Sequence, residues 1–310
     1  MYNCFWVAAT LLALWLEAAP VCAQEVPAAA SIAIVSGRQV PDALRHRLVE
    51  VINLDRAAAG LAPVSFSAAL SAAADAHCTE MLREGYTSHW NRDGWKPYLR
   101  YAQLGIRDYT SENIWGVVQT GFGVSAEEVR AELERGHRNF MSEVPPNDGH
   151  RQSILGRHHQ TAGIGIAYNA TGLRMIELFA SRRADLDDLP RRANRRDTLA
   201  VRGRLPTGGW DLFAIAVYYE PPPLPHSLLE LQATGSYGLP EEQMTERPLL
   251  SGRYYTDGTQ GTVNINVMRE FTSPLRFWKN RPGVYTVVVW VREGSAKPVV
   301  GAMASLLVEE

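Results

Sequence analysis

A change of pattern near residue 183 constrains the fold of this 310-residue chain more than any other feature. Before it, apolar residues recur at helical spacing in segments that end at glycine. After residue 198, short apolar or alternating segments, punctuated by Gly and Pro, are typical of strands and turns. The stretch between them, DLDDLPRRANRRD, is charged and interrupted by proline, which is typical of a linker. We therefore predict two domains, residues 41–183 and 198–310, joined by a linker over residues 184–197.

Four helices and a hairpin are predicted in the first domain. The helical segments are PDALRHRLVEVINLDRAAAG, SAALSAAADAHCTEMLREG, KPYLRYAQLG and SAEEVRAELERGHRNFMSE. Ser67 and Ser125 carry the short hydroxyl side chain that caps a helix N-terminus, and the acids after Ser125 favour the positive end of the helix dipole. TAGIGIAYNA and LRMIELFASR then alternate like the two strands of a hairpin. Helices followed by a hairpin predict an α+β fold with packed layers.

The second domain is predicted to be an all-β sandwich. Its candidate strands have the length and apolar character of sandwich strands, and Gly or Pro separates them at short intervals. They are LAVRGRL, DLFAIAVYYE, GTVNINVMRE, GVYTVVVWVRE and GAMASLLVEE. PPPLP, over Pro221–Pro225, is predicted to be a stiff connector between strands.

The N-terminal residues have the pattern of an export signal. An apolar run from Phe5 to Leu16 is followed by Val-Cys-Ala ending at Ala23, which fits a small-x-small cleavage motif. We expect residues 1–23 to be a signal peptide and residues 24–40 to be a flexible lead-in. The mature chain would then be secreted or periplasmic, with no integral membrane span. An uncleaved anchor is the alternative, since no Lys or Arg precedes the run.

Cysteine content and net charge limit which cellular compartment and which classes of partner are expected. Cleavage after Ala23 would leave Cys78 alone of the three cysteines, and a lone cysteine cannot form an internal disulfide. An exported chain without disulfides favours a bacterial envelope over an animal secretion. The formal net charge is −2, so no global basic field indicates nucleic acid as a partner.

Histidines and acids of the first domain are the candidate functional residues. NDGHRQSILGRHHQTAGIGIA carries His150, His158 and His159, while His89 lies in TSHW and Glu112 in SENIW. Two imidazoles and a carboxylate suit a divalent metal such as zinc, and a glutamate beside a histidine makes an acid/base pair. Spacing alone establishes neither, because the sequence has no HExxH, CxxC or GxSxG motif. We expect His158 and His159 to lie at the surface or at the start of a strand.

Four segments, taken in order, resemble the CAP superfamily, which comprises cysteine-rich secretory proteins, insect antigen 5 and plant pathogenesis-related proteins. The segments are VINLDRAAAGLAPVSFSAALSAAADAHCTEM, GYTSHWNRDGWKPYLRY, TSENIWG, and NDGHRQSIL followed by HHQTAGIGIA. The chain is more similar to the bacterial branch, the SCP-like extracellular domains, and the resemblance covers residues 41–183. It implies an α-β-α sandwich with a central cleft for this domain, ahead of the C-terminal β-sandwich.

The resemblance also implies a site. In the family, two histidines and two glutamates line the cleft and can hold a divalent cation, often zinc. By motif, His89 matches the first histidine, Glu112 the acid of the (G/A)-E-N motif, and His150 the histidine of the G-H-R segment. His89 and His150 would be the metal ligands, with Zn or another divalent cation as cofactor. Three residues stay open as the second acid: Glu132, Glu134 and Glu143.

Three functions stay open. The first is non-enzymatic, since the histidines and acids come without an identifiable nucleophile: the cleft would bind an envelope or extracellular lipid, glycan or protein. The second is a protease-like hydrolase, in which Glu112 acts as general base on a water held by His89 and His150, directly or through zinc. The third is adhesion through the β-domain, with a vestigial cleft. No catalytic residue is identified by the sequence alone.

Overall fold

The computed structural model describes residues 40–122 and 125–310. The predicted signal peptide and all but the last residue of the predicted lead-in lie outside the described residues. Among the helices that are described, none is long and apolar enough to span a membrane.

The N-terminal part of the described chain contains the four predicted helices and the predicted hairpin. Its elements are α1 Asp42–Ala58, β1 Ser65–Phe66, α2 Ala68–Glu84, α3 Pro97–Gln103, β2 Tyr109–Val118, α4 Ala126–Met141, α5 Gly149–Ile154, β3 Thr161–Asn169 and β4 Gly172–Ser181. The predicted caps are confirmed. The Ser67 hydroxyl accepts the Leu70 N–H, and Ser125 forms a reciprocal capping box with Glu128.

These elements form three layers, which confirms the predicted α-β-α sandwich. The sheet has the order β1-β3-β4-β2, with β2 antiparallel to β4 at one edge. Side chains alternate along β4 between two apolar clusters. Met175 and Phe179 pack with α1, α4 and α5, whereas Ile176 and Leu178 pack with α2. Because both faces of the sheet are covered, β4 is buried along its whole length.

Two glycines of β3 bring α2 against the sheet. A Cβ on Gly163 would lie 2.4 Å from the Leu70 Cβ, and a Cβ on Gly165 would lie 2.6 Å from the Ala74 Cβ. Only residues without a side chain leave room for so close an approach. The glycine-spaced run TAGIGIA is therefore a packing surface for α2.

The C-terminal part is a sandwich of two sheets, as the sequence predicts. Its elements are β5 Asp185–Leu186, β6 Arg192–Asn194, β7 Leu199–Arg204, β8 Trp210–Glu220, α6 Leu228–Ala233, β9 Gln243–Glu246, β10 Asn264–Ile265, β11 Glu270–Leu275, β12 Gly283–Glu293 and β13 Val299–Glu309. The sheet orders are β10-β11-β7-β5 and β6-β13-β12-β8-β9. Val201 and Phe271 from the first sheet share one buried cluster with Val287 and Leu306 from the second.

In the C-terminal half, the structure differs from the sequence-based description over residues 184–197 and in GTVNINVMRE. Residues 184–197, predicted as a linker, contribute β5 to one sheet and β6 to the other, because Leu186 and Ala193 bury in the sandwich core. GTVNINVMRE is not one strand. It forms the short β10 and a turn at Arg269, whose φ is 62°, before β11 begins at Glu270.

The two parts of the chain pack through α3. Tyr98 and Leu99 lie in a buried cluster with Val288 and Met303 of the sandwich. At the edge of this cluster, Glu220 accepts hydrogen bonds from Lys96 Nζ at 2.6 Å and Tyr98 Oη at 2.5 Å. The sandwich is therefore fixed against the side of the N-terminal part that carries α3 and the loop before it.

Candidate functional site

A cavity of about 900 Å³ lies where β2, α5 and the C-terminal part meet. Four of the residues that the resemblance implicates line it: His89, Glu112, Glu143 and His150. They come from four different places: the loop after α2, the edge strand β2, the segment after α4 and the first turn of α5.

The first pair is His89 and Glu112. The Glu112 side chain is 0% exposed, and its Oε1 lies 2.9 Å from His89 Nδ1. Arg100 donates to both carboxylate oxygens, at 3.0 and 2.8 Å, and the Tyr101 hydroxyl donates to Oε2. Burial alone would raise the pKa of Glu112, but Arg100 and His89 hold it well below its usual range. The ionised carboxylate can only accept, so His89 donates from Nδ1 and leaves Nε2 for the cavity.

The second pair is His150 and Glu143. His150 Nδ1 lies 2.5 Å from Glu143 Oε1, while Glu143 Oε2 accepts the His150 N–H at 2.9 Å. Asp148, the N-cap of α5, makes no side-chain capping bond, so Glu143 supplies the acceptor that the helix start needs. Phe140 stacks on the imidazole with ring centroids 4.5 Å apart. Of the three open candidates for the second acid, Glu143 is the one in the cavity.

Glu132 and Glu134 lie outside the cavity lining. Glu132 accepts the Trp115 Nε1–H at 2.7 Å and pairs with Arg135 on the next turn of α4. Glu134 pairs with Arg130 of α4 and with Arg47 of α1. Both acids are thus held along α4, one turn or more before the end of the helix, whereas Glu143 follows that end and reaches α5.

His158 and His159 are also outside the cavity lining. His158 packs edge-on against Trp210, 5.9 Å between ring centroids. His159 is buried just before β3 and stacks on Phe179 at 5.3 Å. Burial lowers the pKa of His159 to about 4, which keeps the ring neutral.

Sequence patterns did not predict a buried network of hydrogen bonds around His137, which adjoins the site. His137 of α4 lies between two carboxylates, with Nδ1 2.7 Å from Glu177 and Nε2 2.8 Å from Asp55. Asn113 of β2 donates to Glu177 at 3.4 Å and to the His150 carbonyl at 3.1 Å. Glu177 is the one acid in the apolar strand LRMIELFA. An isolated acid in a buried strand is the sequence feature that could have indicated this network.

The arrangement does not favour Glu112 as a general base. Its side chain has no exposed surface, and Arg100, Tyr101 and His89 already engage its oxygens. A base must reach the proton that it removes, with a pKa near the working pH. The side chains of His150 and Glu143 are more accessible, at 36% and 21% exposure.

Each of the two cavity histidines is paired with a carboxylate. A metal-binding histidine commonly donates its other ring N–H to a carboxylate, as His89 and His150 do. Within the described residues, however, no group of three or more His, Cys, Asp or Glu is arranged to hold a metal. The described residues therefore do not by themselves form a metal centre.

The N-terminal domain is an α-β-α sandwich with two histidine–glutamate pairs in its cavity, and this combination of fold and site indicates its class. Residues 49–179 match the family model described as the cysteine-rich secretory protein family, CAP. This part of the chain is a CAP domain.

Solved structures of bacterial proteins are similar to the chain. One is an extracellular protein containing an SCP domain from Bacillus anthracis, with 18% identity and a TM-score of 0.35 over 47% of this chain and 45% of that one. An outer surface protein of Borrelia burgdorferi has 14% identity and a TM-score of 0.36 over 44% and 91% of the two chains. The CAP domain of enterococcal PrgA has 15% identity and a TM-score of 0.36 over 49% and 65%. No curated protein matches the chain in sequence.

Proposed function

We propose that this is an exported ligand-binding protein, whose cavity takes an envelope or extracellular ligand outside the cytoplasm. The observation that supports it is the cavity itself. Its volume, about 900 Å³, lies within the range of small-molecule sites. Its lining combines the polar side chains of His89, Glu143 and His150 with the apolar side chains of Trp290 and Met303. Polar groups that fix orientation beside an apolar surface are typical of binding sites.

The ligand would be amphipathic, with a polar group for the histidine–glutamate pairs and an apolar portion for Trp290 and Met303. A lipid, a glycan with an apolar sugar face and a protein segment all satisfy that description. A soluble panel separates them: a monomeric lysophospholipid, a cell-wall disaccharide and a short peptide.

Calorimetric titration of the panel tests the proposal, with two matched variants. Gly149 lines the cavity, and a Cβ on it would meet nothing within 4 Å, so Gly149→Trp should fill the cavity without disturbing α5. Gln152→Trp places the same side chain at an exposed position of the same helix. We expect saturable binding of one panel member by the wild type and by Gln152→Trp, and its loss in Gly149→Trp. Folded wild type that binds none of the three, or Gly149→Trp that binds as well as wild type, would contradict the proposal.

Zinc binding is expected to depend on Glu143. If His89 and His150 hold the cation, Glu143 fixes the tautomer and orientation of His150, and Glu143→Gln should lower zinc affinity about 10–100-fold. Calorimetric zinc titration after chelator treatment measures this, with His89→Ala/His150→Ala as the variant that should not bind. Equal affinity in that double variant would place the zinc elsewhere.

A further inference from the structure

We propose that residues 221–239 of the C-terminal part, here called the strap, form a fixed wall of the CAP cleft, and that Tyr237 on the strap is a positioning residue for His89. The strap connects β8 to the segment before β9 and carries α6. Residues 234–239 line the cavity. The role of this wall in binding rests on the proposed function, because the ligand to be tested comes from it. The contact between Tyr237 and His89 can be tested without any ligand.

The strap is anchored to the CAP domain along its length. Its His226 N–H donates to the Arg92 carbonyl at 2.9 Å, and the Thr234 and Ser88 hydroxyls lie 2.6 Å apart. Between these points, Leu231 of α6 is fully buried in the cluster that α2 forms with the sheet. These contacts hold the strap against the CAP domain from His226 to Thr234, where the cavity lining begins.

Close backbone packing supports the same conclusion. Gly94 has a φ of +77°, and a Cβ there would lie 2.2 Å from the Leu224 carbonyl oxygen. The turn NRDG in the CAP domain thus needs glycine both for its conformation and for the passage of the strap. A turn shaped to the strap indicates that the two pack together in the native state.

Tyr237 contacts both members of the first pair. Its ring centroid lies 4.7 Å from that of His89, with 58° between the ring planes. Its hydroxyl accepts the backbone N–H of Glu112 at 3.0 Å. Since β2 is an edge strand, this N–H has no further strand to pair with, and the phenol supplies the acceptor. Tyr237 therefore covers one side of the imidazole while Glu112 holds its Nδ1.

The C-terminal part consequently helps to decide what the cavity can accept. The CAP side contributes polar groups, including Ser111, Asn113 and the two histidine–glutamate pairs. Leu239 of the strap, with Trp290 and Met303 of the sandwich, contributes apolar surface. The C-terminal part therefore adds apolar surface to a cavity whose two histidine–glutamate pairs come from the CAP domain.

Histidine modification tests the contact with Tyr237 in the ligand-free protein. The His89 and His150 side chains are 14% and 36% exposed, so diethyl pyrocarbonate should modify His150 faster, and mass spectrometry resolves the two sites. We expect Tyr237→Ala to raise the rate at His89 several-fold and to leave His150 unchanged. Tyr237→Phe keeps the ring and should restore the slow rate. Tyr254→Ala removes an aromatic side chain that is 67% exposed and should change neither rate.

The outcomes separate this proposal from the proposed function. A folded Tyr237→Ala protein with the wild-type rate at His89 overturns the positioning role. If Tyr237→Ala does not fold, Tyr237→Leu keeps an apolar side chain without the ring and carries the same expectation. When the wild type binds a panel member, Tyr237→Ala should change its affinity or the member preferred, and unchanged binding overturns the wall. When the wild type binds none, the proposed function fails while the His89 rates still decide the contact.

Discussion

Arg100→Met is expected to lower the free energy of unfolding by about 3–5 kcal/mol. The substitution removes the guanidinium that donates to both oxygens of Glu112, whose side chain has no exposed surface. A buried carboxylate without its counter-charge is costly because neither water nor a partner solvates it. Urea unfolding followed by circular dichroism measures the change.

A double variant separates the lost ion pair from lost packing. Arg100→Met/Glu112→Gln removes both charges while the amide oxygen can still accept from the Tyr101 hydroxyl, so much of the loss should be recovered. If the double variant is as unstable as Arg100→Met alone, packing of the Arg100 stem and not the orphaned Glu112 charge is responsible.

The same pair predicts loss of stability in acid. Arg100 and His89 hold the pKa of Glu112 below its usual value of 4.5 in the folded state. A group whose pKa is lowered by folding stabilises the protein above its unfolded pKa, and this contribution fades as the pH falls below 4.5. The stability difference between the wild type and Glu112→Gln should therefore shrink between pH 6 and pH 3.

Local signals made most of the fold predictable, and their failures have physical causes. Ser67 and Ser125 cap helices through residues only three positions further along the chain, Leu70 and Glu128. The strand β2 was missed because TSENIWGVV lacks a clean apolar alternation. Its Glu112 and Asn113 are both buried, each satisfied by side chains from other elements. Their partners, not their own hydropathy, make the strand stable.

The candidate site also has residues that local sequence motifs predict and residues that they do not. His89, Glu112 and His150 follow from motifs that resemble a family, but the second acid depended on where α4 ends relative to α5. Tyr237 lies 125 residues beyond Glu112, in a stretch with no motif of its own. Contacts of that range follow from the packing of one part of the chain on the other, which sequence periodicity does not encode.

The buried network behind the site gives the second large expected effect. His137→Gln should lower the free energy of unfolding by about 3–5 kcal/mol at pH 7, because it removes the cation between Glu177 and Asp55 and leaves Glu177 buried without a counter-charge. His137→Gln/Glu177→Gln is the matched reference, since its two amides can still hydrogen-bond and neither is charged. It should be more stable than the single variant.

Alkaline pH tests whether the charge on His137 is what stabilises the fold. Burial alone would lower the pKa of His137, but Glu177 and Asp55 raise it to about 9. Because folding raises this pKa, the stabilisation is complete below the unfolded value of 6.5 and is lost as the pH rises through 9. The advantage of the wild type over His137→Gln/Glu177→Gln should thus fall by about 3 kcal/mol between pH 6 and pH 10 in urea unfolding. An advantage that stays constant over this range would mean that a neutral imidazole already stabilises the fold through its hydrogen bonds.

Loss of the charge on His137 should also loosen α5, because Asn113 joins Glu177 to the His150 carbonyl. Amide hydrogen exchange at Arg151 and Gln152 of the wild type measures this. At pH 10, exchange at these two amides should be faster than the rise in the intrinsic exchange rate alone would give.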